Sequence, residues 1–263
     1  MGNTPIRQFR RVALFSLLTA ALYSANTPTT PSKYVTAGSL PAGWQIPMIT
    51  HGDRMQVSGK ERLTLSGTTT RNGSATAAFQ LINELPNSVR YQELSGPHAV
   101  TLVFGGAQLM SSLGAMQSTD TDLIETLAYD TPTWFFYAPS NRLAVRKLGT
   151  RFRTDGGTGK TYTGPVYDVY LVLTSVQQVG AAKQQPKYYH VNSDTHLVEQ
   201  VFYQDATSPS TKVQIIFGNW TTVSNNRIPQ LIRRLENNVE VLRLTVSSAT
   251  IGPSVADGAF LQP

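Results

Sequence analysis

The chain has 263 residues, contains no cysteine and carries a formal net charge of +6 at pH 7. Without cysteine it forms no disulfide and no acylated leader cysteine, so a lipid-anchored lipoprotein is excluded. Three of the positive charges lie within the first 11 residues. The remaining 19 basic and 16 acidic residues give a mild, dispersed excess that argues against nucleic-acid binding.

The N-terminal segment has the pattern of a secretory leader. Arg7, Arg10 and Arg11 precede an uncharged apolar run over residues 12–25, which is shorter than the roughly 20 residues that span a bilayer. We predict a signal peptide over residues 1–25 and export to the periplasm, with membrane contact only through this leader. An uncleaved anchor is the alternative.

Two further segments follow the leader. Residues 26–47 are rich in Thr, Pro, Ser and Gly and are predicted to form an extended linker. Residues 48–263 are predicted to form a single β domain, because their length suits one domain of the large β type.

Short runs of alternating apolar residues, separated by turn-forming residues, make up this domain. Turn pairs such as Asn72-Gly73 and Asn237-Asn238 accept the required backbone geometry at low steric cost. The spacing predicts a mainly β fold with minor α content, in which sequential hairpins form one meandering antiparallel sheet. The predicted strands cover residues 62–69, 75–83, 88–94, 99–104, 142–152, 166–176, 187–191, 196–203, 212–220, 227–235 and 239–248.

One segment has helical spacing instead. Leu123, Ile124, Leu127 and Ala128 recur at helical intervals after the run Thr119-Asp120-Thr121-Asp122, which predicts an amphipathic helix with a side-chain N-cap. The helix should end before Pro132, and four consecutive aromatic residues, 134–137, follow it. A helix with so apolar a flank is expected to pack against the sheet.

The alternation in the longest strands makes both faces of the sheet substantially apolar. In the strand 166–176, Leu171 and Leu173 share one face and Tyr170 and Val172 the other. In the hairpin 187–203, a two-residue turn at Ser193-Asp194 would put Phe202 on the face of Tyr189. Helix and loops that fully pack the second face explain this pattern, as does a half-barrel with an apolar cavity, or an oligomer contact on the outer face.

No motif indicates catalysis, a cofactor or a metal. The glycine-rich run 156–161 lacks the first glycine of a phosphate-binding loop, and no helix can follow it. His190 and His196 would point to opposite sides of the sheet, without a third ligand. There is no Gly-x-Ser-x-Gly elbow. Paired carboxylates among Glu84, Glu93, Glu125 and Asp130 stay possible, but nothing singles them out.

The C-terminal third carries an ordered series of motifs. A hairpin over residues 187–201 turns at 192–195; it is followed by a strand ending in Gly218-Asn219-Trp220, then by Arg227-Ile228-Pro229, and then by residues 256–260 before the final proline. This order resembles the closing signature of LolA/LolB-like periplasmic proteins. The resemblance implies an incomplete, strongly curved antiparallel half-barrel that covers one or two helices, with an apolar interior that shelters acyl chains in the carriers of the family.

These observations lead to a functional hypothesis. We expect a non-enzymatic periplasmic protein that binds an apolar ligand, either a lipid or an acylated protein, in the concavity of the half-barrel. The alternative is an envelope module that binds a protein partner in the groove or at a sheet edge. The side chains predicted to line the concavity are Phe79, Leu81, Tyr91, Val103, Trp134, Phe135, Phe136, Leu171, Leu173, Phe217 and Trp220.

Overall fold

The computed structural model describes most of the predicted β domain. The predicted signal peptide, most of the predicted linker and the glycine-rich run 156–161 lie outside the described residues. The described residues are 43, 45–52, 61–84, 88–96, 99–105, 108–114, 117–137, 144–152, 164–178, 181–206, 208–253, 257–260 and 263.

The described residues form one twelve-stranded antiparallel sheet, which confirms the predicted fold class. Its order is β5-β4-β3-β2-β1-β12-β11-β10-β9-β8-β7-β6. The strands are β1 Glu61–Arg71, β2 Ala77–Glu84, β3 Ser88–Glu93, β4 Val100–Gly105, β5 Gln108–Ser111, β6 Ala144–Phe152, β7 Val166–Gln178, β8 Ala181–Asn192, β9 Val198–Gln204, β10 Lys212–Val223, β11 Asn226–Glu236 and β12 Val239–Pro253.

Each of the eleven predicted strands is present, because alternation and turn residues agree along the whole domain. The short edge strand β5 was not predicted, and β8 begins six residues before its predicted start at residue 187. Consecutive strands pair as hairpins except β5 and β6, which form the two edges of the sheet. Among the described strands, the pairing that joins distant parts of the chain is that of β1 with β12 at the centre of the sheet.

Within the described residues, three α-helices and a 3₁₀ helix accompany the sheet: α1 Gln45–His51, α2 Ser118–Tyr129, α3 Pro132–Tyr137 and the 3₁₀ helix Asp257–Phe260. Helix α2 lies where the sequence predicts it and ends before Pro132. Its predicted side-chain N-cap is wrong, since Gln117 precedes the helix without a side-chain cap and Asp120 is buried instead. Helix α1 begins within the predicted linker, and α3 contains the aromatic run.

Contacts of a single residue, Tyr129 of α2, show how strongly the sheet curves. Its ring lies 5.5 Å from that of Phe104 in β4, and its carbonyl oxygen accepts a 3.1 Å hydrogen bond from the Tyr189 hydroxyl in β8. Seven strands separate β4 from β8. In a flat sheet they would lie about 38 Å apart at ~4.8 Å per strand, whereas a helix is about 10–12 Å wide. The sheet therefore wraps around α2.

The hairpin of β8 and β9 differs from the two-residue turn predicted at residues 193–194. Tyr188 pairs with Phe202 and Tyr189 with Val201, and the register shifts after His190. Because this bulge adds a residue to one strand, Val201 faces the helices together with Tyr189, and Phe202 faces the opposite side with Tyr188. The predicted face of Phe202 was therefore wrong.

Candidate functional site

Aromatic side chains of α3 occupy the concavity. Thr131 caps the helix, since its Oγ1 accepts the Trp134 N–H at 3.2 Å, and Pro132 takes the first helical position, which needs no N–H donor. The Phe135 ring stacks on Tyr189 at 4.6 Å and meets the edge of Tyr170 at 5.7 Å. The aromatic run thus fills the centre of the half-barrel.

Helix α1 lies beside this aromatic layer and is fixed by His51. The His51 ring is 4.7 Å from that of Phe136 and 5.3 Å from that of Trp220. Its Nδ1 is 2.8 Å from the Pro47 carbonyl oxygen, and the Val198 N–H points to its Nε2 at 3.2 Å. Only 5 % of His51 is exposed. Helix α1 is therefore anchored by one imidazole inserted into the sheet wall.

These two partners fix the protonation state of His51. A carbonyl oxygen can only accept, so Nδ1 carries the proton, and an amide N–H can only donate, so Nε2 is unprotonated. The imidazole is neutral. The pKa of His51 is lowered from 6.5 to about 4, mainly by burial; the bond to Pro47 opposes this shift, and the nearby guanidinium of Arg227 adds to it.

The chain leaves α1 through a close approach to β11. Gly52 has a φ of +91°, and a Cβ atom at this position would lie 2.5 Å from Oδ1 of Asn226, which is fully buried. Only glycine both adopts this positive φ readily and lacks a Cβ atom, so this contact fixes the path of the chain out of α1.

Behind His51 lies a small apolar cavity of about 50 Å³. This volume holds a few water molecules at most, and it is far below the roughly 300–1,000 Å³ of pockets that enclose small-molecule ligands. No Asp or Glu lines it. The lining residues are His51, Gly52, Leu63, Leu65, Leu81, Asn83, Leu127, Thr131, Pro132, Thr133, Phe136, Phe217, Arg227, Ile228, Pro229 and Ile232.

The sequence matches no protein-family model and no curated protein. Solved structures do match. A LolA superfamily protein from Nitrosomonas europaea is 12% identical with a TM-score of 0.53, covering 87% of this chain and 98% of that chain. The protein has the LolA-like fold. A DUF1329 family protein from Desulfovibrio piger is 10% identical with a TM-score of 0.50, covering 83% of this chain and 95% of that chain.

The LolA-like sheet brings eight of the eleven predicted lining residues into or against the helix-side core. Seven of them are buried members of this core, and Trp220 packs against it partly buried. Leu81, Phe136 and Phe217 also border the cavity behind His51. The seven buried members are Phe79, Leu81, Tyr91, Trp134, Phe135, Phe136 and Phe217.

The other three, Val103, Leu171 and Leu173, lie on the opposite face of the sheet. Leu171 pairs with Tyr188 and alternates with Tyr170, which belongs to the helix-side core. Leu173 shares the face of Leu171, and Val103 alternates with core residues of β4. Both faces of these strands are apolar, so alternation alone does not tell which face lies inside.

A buried ion pair holds the N-terminal end of α2. Arg71 of β1 donates from Nη2 to Asp120 Oδ1 at 2.5 Å, and its Nη1 lies 3.6 Å from Glu93 Oε2. The side chains of all three residues are at most 5 % exposed. The carboxylate at the first turn also suits the positive end of the helix dipole.

Two more cations of the sheet hold the middle and the C-terminal end of α2. Arg234 donates from Nη1 to Thr126 Oγ1 at 2.7 Å and to the Asp122 carbonyl oxygen at 3.3 Å. Lys187 forms a buried ion pair with Asp130, whose other oxygen accepts a 2.7 Å hydrogen bond from Tyr203. Helix α2 is therefore tied to β1, β8 and β11.

Several residues of the site were not predicted. His51 and Ile228 border the cavity, but His51 lies at the edge of the predicted linker, and no periodic pattern covers it. Lys187 and Arg234 lie in predicted strands, and Arg71 lies two residues beyond the predicted strand 62–69; all three face inward. Charged residues at inward-facing positions were the available signal for the ion pairs that hold α2.

Within the described ranges, no three His, Asp or Glu residues lie close enough to hold a metal ion. The His190 ring instead contacts Tyr167 at 5.5 Å and Phe202 at 4.8 Å. None of the helices in the described part of the chain has both the length and the apolarity required to cross a bilayer.

Proposed function

We propose that this protein is a non-enzymatic periplasmic protein that binds an apolar ligand, a lipid or an acyl chain, in the concavity of its LolA-like sheet. The observation that carries the proposal is the apolar cavity behind His51, bordered by Leu81, Phe136 and Phe217 and by no carboxylate. Burying an acyl chain there contributes about 0.8 kcal/mol per CH₂ group. The domain division into leader, linker and β domain is part of the same proposal.

Binding requires a movement, because the cavity of about 50 Å³ is too small for an acyl chain. Helix α2 is tied by three buried cations, so its displacement would leave charges without partners. Helix α1 has seven residues and covers the cavity with one buried imidazole. We therefore assign the movement to α1.

The first test is direct. The full chain is produced with its leader, purified without detergent and extracted with organic solvent, and the extract is analysed by mass spectrometry. A fluorescent acyl probe is then titrated into the extracted protein. Co-purified lipid and saturable probe binding support the proposal, and the absence of both contradicts it.

A matched pair of variants locates the binding site. Leu127→Phe narrows the cavity, whereas Leu113→Phe makes the same change at a side chain that is 61 % exposed. Loss of room for two CH₂ groups weakens probe binding by about tenfold. We expect this loss for Leu127→Phe alone, with both variants folded by circular dichroism.

A second candidate function follows from the closed interior. The small cavity also suits an envelope module whose partner pairs with an open sheet edge, such as β6. A photo-crosslinking amino acid at Thr150, which is exposed on β6, would then give a defined adduct in cells. The same amino acid at Leu113 is the control.

A further inference from the structure

We infer that the His51 imidazole occupies the position where the head group of the ligand binds, which we call the seat. The ligand that replaces the imidazole there is an acyl compound whose carbonyl oxygen accepts a hydrogen bond from the Val198 N–H. This inference rests on the proposed function and names the ligand class for the same site. Helix α1 is then an internal occupant of the binding site.

The Val198 amide is the first observation. Val198 is fully buried, and its N–H donates to His51 Nε2 at 3.2 Å. When α1 leaves, this donor loses its acceptor, and a buried N–H without a partner is unfavourable. A ligand that enters the seat must therefore bring an acceptor atom.

A second donor lies in the same wall. Nε1 of Trp220 is buried and has no hydrogen-bond acceptor among the described residues, and the Trp220 ring contacts the His51 ring. The Val198 amide and the Trp220 indole beside the imidazole are thus both N–H donors. An acceptor oxygen satisfies them, whereas an ammonium head group cannot.

The charge of the site points the same way. Arg227 borders the cavity and is close enough to influence the His51 pKa, and no carboxylate borders the cavity. The Arg227 Nη1 donates to Thr222 Oγ1 at 3.0 Å. The site therefore favours a neutral or anionic head over a cationic one.

The tail has an apolar path behind the seat. Leu65, Leu127, Phe217 and Ile228 form the floor of the cavity that His51 closes. Removal of the imidazole joins the cavity to the seat, so one chain can place its oxygen at Val198 and its first methylene groups against this floor.

Helix α1, which covers the cavity, is weakly held. Of the α1 side chains whose burial is described, only Pro47 and His51 are buried, while Ile46 and Ile49 are 50 % and 76 % exposed. A helix of seven residues is not stable alone in water, so α1 loses its structure when it undocks. When α1 docks again, His51 competes with the ligand for the seat.

The test compares probes that share one chain and differ in the head. Oleate, methyl oleate, oleylamine and the corresponding hydrocarbon compete with the fluorescent acyl probe on the full chain. We expect oleate and methyl oleate to bind at least about tenfold more tightly than oleylamine or the hydrocarbon, about 1.4 kcal/mol. If oleate binds more tightly than methyl oleate, the natural ligand is a free carboxylate. If the two bind equally, the natural ligand is an acyl ester.

Variants test the role of His51 as occupant of the seat separately from the role of the N–H donors that surround it. His51→Ala removes the occupant and should tighten oleate binding by about tenfold, whereas Ile49→Ala, on the exposed side of α1, leaves it unchanged. Trp220→Phe keeps an aromatic wall without the N–H and should weaken oleate but not hydrocarbon binding. Equal binding of oleate and oleylamine, or no effect of His51→Ala, overturns the inference.

A measurement on the unchanged chain covers the case in which a variant fails to fold. Carbethoxylation of His51, which is 5 % exposed, should accelerate when oleate binds. A rate that oleate does not change, although oleate binds, contradicts displacement of α1. If none of the four compounds binds, the proposed function itself fails.

Discussion

His51 is a histidine whose neutral state is required by its surroundings. The Val198 N–H needs an unprotonated Nε2, and the aromatic rings of Phe136 and Trp220 give no room for a hydrated charge. Protonation removes the acceptor and buries a cation at the same time. The docking of α1 is therefore linked to pH through one side chain.

The first prediction concerns this linkage. The folded-state pKa of His51 is about 4 and the unfolded value is 6.5, so the unfolded chain binds the proton first as the pH falls. Stability is fully present above pH 6.5 and is lost between pH 6.5 and about 4, by about 3 kcal/mol at 1.36 kcal/mol per pH unit. Protection of the Val198 amide against hydrogen exchange should fall over this range. In His51→Gln the pH dependence should be flatter, and an unchanged slope would contradict the assignment.

Glu125 of α2 should make the stability of the fold depend on pH in the opposite direction. Burial raises its pKa from 4.5 to about 7, and the nearby Lys187 opposes the shift. The folded chain thus binds the proton first, so this group stabilises the fold as the pH falls from 7 to 4.5. Glu125→Gln should be more stable than the natural chain at pH 8, by on the order of 1 kcal/mol after allowance for partial exposure. The gain should vanish at pH 4.5 in urea unfolding, and a gain that persists there would refute the prediction.

At the scale of elements, α2 is a helix held at both ends by buried charges. Arg71 pairs with Asp120 near its start, and Lys187 pairs with Asp130 just beyond its end. Such pairs hold geometry more than they add stability, because desolvation offsets their attraction. They fix the position of α2, and with it that of α3, which follows after two residues.

The third prediction tests this anchor. Asp130→Asn removes the ion-pair partner of the buried Lys187 ammonium and should cost about 3–5 kcal/mol of unfolding free energy. Adding Lys187→Met should restore much of the loss, since the buried ammonium that lost its partner is then gone. Lys147→Met is the control, because the Lys147–Asp168 pair is 30 % and 24 % exposed and should contribute less than about 1 kcal/mol. Additive effects of the two buried substitutions in urea would contradict the pairing.

The elements also show what the sequence could and could not predict. The strands and α2 were predictable, because their apolar period and turn residues are local signals. Helix α3 was missed, since its apolar residues are contiguous and have no helical period, and only the cap at Thr131-Pro132 marks it. Helix α1 was missed for a different reason: its helical form depends on the seat of His51, which is formed by β9 and β10.

For the site, the sequence predicted the types of side chain present but not how they are arranged. Phe136 and Phe217 were selected as large apolar side chains, and the sheet places both at the cavity. Leu171 lies on the other face because its strand is apolar on both sides. The inward charges Lys187 and Arg234 could not be assigned to partners, since these lie on a helix 57 or more residues away.

At the scale of the whole molecule, the sheet depends on the seam between β1 and β12. The register shifts between Ser66 and Gly67, and there the two strands approach closely. A Cβ atom on Gly67 would lie 2.0 Å from the Thr245 carbonyl oxygen. No side chain fits at this point without separating the two strands.

The fourth prediction follows from the seam. Gly67→Ala should cost more than about 2 kcal/mol of unfolding free energy, because backbone atoms must move at the centre of the sheet. Gly218→Ala makes the same change inside β10, where the nearest atom is 3.8 Å away, and should stay within about 0.5 kcal/mol. Urea unfolding curves compare the two. Equal destabilisation would show that the seam tolerates a methyl group.

The pairing of β1 with β12 also governs the order in which the protein can be built. A ribosome or a translocation channel releases β1 nearly 170 residues before β12 is available. Until then the emerging domain consists of two half-sheets with unpaired inner edges. The sheet is therefore completed only after the whole polypeptide has been released.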